Sequence, residues 1–98
     1  MNLTGKCKED FDKWFEDIYD NNNDVIMLKA EFDLIPFEFQ YGVYIDFFES
    51  EDIRINIHSE IDYIQAYVND NDLGNHFQFI KEARTAAIKK ANEIYNLR

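Results

Sequence analysis

Ile53-Arg54-Ile55-Asn56-Ile57-His58 alternates apolar and polar side chains without a break and is rich in β-branched residues. A period of two puts the three isoleucines on one face of a strand and Arg54, Asn56 and His58 on the other. Asp62-Tyr63-Ile64-Gln65-Ala66-Tyr67-Val68 reads as a second strand, after a tight turn or a longer loop at Ser59-Glu60. The Asn/Asp-rich stretch 69–75 reads as a loop, and His76-Phe77-Gln78-Phe79-Ile80 as a short third strand. Two hairpins in series make an antiparallel meander with one half-buried face, which must be covered.

Helices on either side supply the cover. Upstream, Phe11, Trp14, Phe15, Ile18 and Tyr19 repeat at helical spacing, and Cys7 extends their face by one turn. The pattern predicts a helix over 5–20 with Thr4 as N-cap and the Asp20–Asp24 run as its end. Residues 25–35 read as irregular or briefly extended, although Leu28, Phe32 and Ile35 also fit a helical face. Pro36 suits a first helical position, and the run to Glu49 is long for a strand, so 36–49 reads as a helix. Downstream, Ala83, Ala86, Ala87, Ile88, Ala91, Ile94 and Tyr95 give an Ala-rich helix over 81–96. The expectation is one α+β domain spanning 1–98, in the order α-α-β-β-β-α.

The chain has 98 residues, 46% apolar and 16% aromatic, with 10 basic and 20 acidic side chains and a net charge of −10. That apolar content exceeds what an acidic disordered tail carries. No apolar run is long enough for a transmembrane helix, and the first residues lack the apolar core of a signal peptide. The single Cys7 excludes an intramolecular disulfide, and a reducing cytoplasm is the default compartment. The acidic balance disfavours nucleic acid and anionic membrane surfaces as partners. The charge is unevenly divided. Residues 1–80 carry 5 basic and 18 acidic side chains, net −13; residues 81–98 carry 5 and 2, net +3.

Chemistry-bearing patterns are weak. Asp20, Asn22, Asp24 and Glu31 fall at the ligand positions of a calcium-binding EF-hand loop, but Val25 stands where the turn requires glycine. The stretch reads as a polar, helix-ending turn. His58 and His76 belong to no zinc pattern, and Cys7 continues an apolar helix face despite its Lys6 and Lys8 neighbours. Ser50 and Ser59 lack the setting of a nucleophile, and the three glycines form no phosphate loop. The reading is therefore a non-enzyme with no metal or cofactor.

Two surface features stand out. Glu9, Glu16 and Asp20 share one face of the first helix, and Glu49, Glu51 and Asp52 cluster where the second helix meets the first strand. These six are the candidate partner-binding residues, directed at a protein with a basic surface. Seven aromatics crowd into residues 32–48, and Phe39, Val43 and Phe47 would form any exposed aromatic set.

Two resemblances add expectations. The α-β-β-β-α order and Lys81-Glu82-Ala83-Arg84-Thr85-Ala86-Ala87-Ile88-Lys89-Lys90-Ala91 loosely resemble the double-stranded-RNA-binding domain. Three further stretches, 3–11 from Leu3, 36–48 from Pro36 and 82–96 from Glu82, resemble small uncharacterised proteins encoded by bacteriophages and prophages. The second resemblance implies a viral accessory role in the host cytoplasm, such as an anti-CRISPR-type inhibitor of a nucleic-acid-binding defence protein. The alternatives are an assembly component that self-associates through the aromatic face, and a nucleic-acid accessory using the basic last helix.

Overall fold

The structure is a computed structural model that describes residues 3–20, 28–74 and 76–98. Among these residues four α-helices and three strands follow one another: α1 (Gly5–Phe15), α2 (Lys29–Phe32), α3 (Phe37–Ser50), β1 (Ile55–Ser59), β2 (Ile64–Val68), β3 (Asn71–Asp72) and α4 (Ile80–Asn96). The fold is α+β, with an antiparallel sheet in the order β1-β2-β3. The molecule is a slab of 45 × 28 × 18 Å. Its thin dimension suits one helical layer on one sheet.

α1 forms on the predicted face, burying Cys7, Phe11 and Phe15. It ends in a π-helical turn, Glu16–Asp20. The wider π turn advances each residue by a smaller angle, so the periodicity slips there. Tyr19 stays on the apolar face, its ring 4.7 Å from Phe15, while Ile18 swings outward. Residues 29–32 form a single helical turn where irregular or extended chain was expected; 25–27 lie outside the described residues.

α3 turns Phe47, expected in any exposed aromatic set, toward the core. It buries Gln40, Tyr44, Phe47 and Phe48, and leaves Phe37 and Tyr41 half-buried. Its end is a Schellman motif: Ile53 N–H donates to Phe48 C=O at 2.8 Å and Asp52 N–H to Glu49 C=O at 3.1 Å. The motif places Asp52 at φ +61, where glycine is the usual residue. It also draws Ile53, predicted as strand, fully into the core.

The sheet corrects the third strand. Asn69 and Asp70 both have positive φ (53° and 67°) between the paired Val68 and Asn71. This is the two-residue hairpin loop whose conformation Asn and Asp tolerate better than other non-glycine residues. The chain therefore reverses at once and β3 is Asn71–Asp72, not 76–80. The expected strand shrinks to one bridge, Ile64 with Phe77, and α4 begins at Ile80.

α4 lies on the inner face of the sheet. Ala83, Ala87 and Ala91 are fully buried, and their small side chains allow close approach to Ala66 and Val68. The C-terminal half of α4 ties down α1. Thr4 makes no side-chain cap on α1. Asn96 Oδ1 instead accepts from Cys7 N–H at 2.8 Å, and Asn96 Nδ2 donates to Thr4 C=O at 3.0 Å. Asn92 exchanges two bonds with Thr4, at 3.0 and 2.9 Å. Tyr95 Oη donates to Asp10 at 2.6 Å. Orphan N–H groups at the α1 terminus are thus satisfied from the far end of the chain. Gly5, at φ +61, sits under this clamp; a Cβ there would meet the Asn96 amide at 3.1 Å.

Candidate protein-interaction surface

The six candidate acids occupy three kinds of environment. Glu9 on α1 and Glu16 at the start of the π-helical turn are exposed, and neither joins an ion pair among the described residues. Glu49 and Asp52 are exposed at the end of α3, where they line a recess of about 500 Å³ with Arg54. Glu51 is tied to α4: Arg98 approaches its carboxylate at 3.5 Å and donates to its carbonyl. The side chain of Asp20 lies outside the described residues, as do Asn22 and Asp24 of the EF-hand-like spacing. Glu31, the last residue of that spacing, is exposed on α2.

Glu51 is half-buried. Its charge reaches Cys7 of α1 and Tyr95 of α4. Burial pushes the Cys7 thiol up to about 12, with Asp10 and Glu51 adding to the rise. Burial likewise raises Tyr95, and its bond to Asp10 raises it further. A thiol in this state is a packed apolar group, and the neighbouring lysines do not activate it.

Much of the cationic complement is already engaged. Arg84 bonds Glu38 at 2.5 Å with its guanidinium 5.0 Å from the Tyr41 ring, holding the start of α4 to the start of α3. Lys29, only 19% exposed, lies between Asp33 at 2.5 Å and Asp12 at 3.2 Å and beside the Phe11 and Phe32 rings. Burial works to raise the Asp12 carboxyl, but Lys8 at 2.7 Å and Lys29 outweigh it and hold it below the usual carboxylate range. Six of the ten Lys and Arg side chains are paired among the described residues.

The aromatic set divides. Phe39 is 72% exposed and Val43 is half-buried, but Phe47 is only 1% exposed. Its ring lies 5.3 Å from Phe11, 5.5 Å from Trp14 and 5.6 Å from Tyr95. Helical geometry puts positions 40, 44, 47 and 48 on one side, so Phe47 belongs to the core and no continuous aromatic face forms. The histidines stay apart on the sheet: His58 sits edge-on to Tyr67 at 5.1 Å, and His76 stacks on Tyr63 at 4.2 Å. Among the described residues no group of three His, Cys, Asp or Glu side chains is placed to hold a metal ion, and no helix is long and apolar enough to cross a membrane.

The sequence pattern places Tyr95 on the Ala-rich face and assigns no role to Asn92 or Asn96. Their signal is the recurrence of amide and hydroxyl side chains at helical spacing, at positions 92, 95 and 96. The chain matches no protein-family model, no curated protein and no solved structure.

Proposed function

We propose that the protein is a non-enzymatic interaction module that docks on a basic protein surface through Glu9, Glu16, Glu49 and Asp52, with Glu51 bordering them. The sharpest form of this reading is a phage-type inhibitor that occupies the nucleic-acid site of a host defence protein. The supporting observation is that these four carboxylates are exposed and without an ion pair among the described residues, while neighbouring acids are neutralised. Unpaired like charges repel within the monomer, and an opposite surface relieves that repulsion. Counter-charge pairing of this kind weakens with salt.

The test is co-purification from bacterial lysate at low and high salt. It compares the native chain with one carrying Glu9→Gln, Glu16→Gln, Glu49→Gln and Asp52→Asn. A protein retained by the native chain at low salt, and lost both at high salt and by the variant, is the expected result. A partner held equally well by both chains would remove the acidic surface from the function.

A further inference from the structure

Among the described residues β1 is an edge strand, paired only with β2. Its flanking bonds fix which backbone groups face outward. Asn69 N–H donates to Arg54 C=O at 2.8 Å, and Glu60 N–H to Tyr63 C=O at 2.8 Å, in the register that sets Ile57 opposite Ala66. Hydrogen-bonded positions alternate along an antiparallel ladder, so Asn56 and His58 point their backbone groups at β2. Ile55, Ile57 and Ser59 point theirs away. Among the described residues no other element takes up those groups.

Exposed edges are ordinarily blunted by a charge, a proline, a bulge or a covering segment. The five residues Ile55–Ser59 contain no charge and no proline, and they pair with β2 in unbroken register.

We propose that this edge pairs with β1 of a second copy of the chain. The strands would run antiparallel about a twofold axis at Ile57 and join two sheets into one of six strands. The pattern of the strand selects the register. With Ile57 opposite itself, Ile55 faces the partner's Ser59, and all three outward-pointing positions meet outward-pointing positions. Each such pair exchanges two hydrogen bonds. On the inner face the half-buried Ile57 meets its own copy, extending the apolar surface across the junction. On the outer face Asn56 meets the partner's His58.

Charge selects the same register. Arg54 falls opposite the partner's Glu60, and symmetry makes this pair twice. Arg54 is 70% exposed with only a 3.7 Å contact to Asp70, and Glu60 is exposed without an ion pair among the described residues. Shifting the register by two residues one way sets Glu60 against Asp52; shifting it the other way sets Glu60 against Asn56 and Arg54 against Asp62, which lies in the β1–β2 turn outside both strands. Ile61, fully exposed beside Glu60, lies at the border of the same edge.

The test uses the full chain. Sedimentation equilibrium from micromolar to millimolar concentration should show a species of twice 11.8 kDa. Over the same range, amide exchange at Ile55, Ile57 and Ser59 should slow at least about tenfold while Asn56 and His58 hold constant. Arg54→Glu should weaken the dimer about tenfold, and Arg54→Glu with Glu60→Arg should restore it. A monomer at every concentration, or free exchange at the three outward amides, overturns the proposal. So does a dimer indifferent to both charge variants, or an edge that takes up only a strand from a different protein.

Discussion

Phe11 lies within 5.1 to 6.1 Å of five other rings: Trp14, Phe15, Phe32, Tyr44 and Phe47. Ile57, in the middle of β1, is packed on one face only, and its backbone looks out to solvent. The helical layer closes on itself through aromatic contacts, the Asn92–Tyr95–Asn96 clamp and the Arg84–Glu38 tie. Among the described residues the sheet is covered on one face and leaves the other, with the β1 edge, open. In a domain this small the two conditions divide the labour. The helices supply most of the burial that opposes chain entropy, and the β1 edge stays exposed among the described residues.

The largest way to break that contrast is to empty the helical layer. Phe11→Ala should lower unfolding free energy by about 3–5 kcal/mol, through lost transfer energy plus the cavity left among those rings. Denaturant titration followed by tryptophan fluorescence measures it directly, because Trp14 neighbours Phe11 at 5.8 Å. A loss under about 1 kcal/mol would mean that the ring cluster is not the stabilising centre.

The clamp comes next. Asn96→Ala removes the acceptor for Cys7 N–H and the donor to Thr4 C=O. Loss of a cap and of a partly buried hydrogen bond costs about 2 kcal/mol together. Exchange of the Cys7 amide should accelerate in parallel. An unchanged midpoint would show that water replaces the amide without penalty.

How much of this was legible follows from which signals are local. The alternation at 53–58 and the helical spacing around Phe11 are local, and both elements formed, the strand shifted to Ile55–Ser59 and the α-helix ending at Phe15. The α4 boundary was legible within a residue, because Ala-rich helix propensity is strong. The third strand was misplaced because Asn69-Asp70 was read as the start of a long loop, when those two residues suffice for the whole reversal. The inward face of α3 was ambiguous because nearly every position is apolar, so only packing against α1 and α4 selects Phe47 over Phe37. The clamp was invisible because its partners lie 88 and 89 residues apart. For the candidate surface, composition named the acids, but only tertiary contacts separate the exposed Glu49 from Glu51, which Arg98 engages.

Alkaline pH offers a graded test of the same closed layer. Cys7 is fully buried and its thiol is pushed up to about 12. The unfolded thiol titrates near its ordinary value of about 8.5, so the folded value is the higher one. A raised value gives stability that is complete below about pH 8.5 and declines as pH climbs toward the folded value. By about pH 10 the loss should reach about 1–2 kcal/mol. Cys7→Ala, though less stable at neutral pH, should show a flatter slope over that window. Equal slopes for the two chains would place the alkaline sensitivity elsewhere, with Tyr44, itself raised to about 12 by burial, the next group in line.

The smallest effect sharpens the contrast at the junction of the two layers. Asp52 sits at φ +61 at the end of α3, the position where a left-handed residue closes the Schellman motif. A side chain there is strained, and glycine is not. Asp52→Gly should therefore raise unfolding free energy by about 0.5–1 kcal/mol. If the exposed carboxylate also serves docking, the same substitution should weaken partner binding while stabilising the fold. Asp52→Asn separates the two effects, since it keeps a side chain that tolerates the left-handed conformation and removes only the charge. Binding lost by both variants, with stability gained by Asp52→Gly alone, is the expected pattern. If Asp52→Gly instead destabilises the chain, the turn is not strained and Asp52 holds the junction through its own side chain.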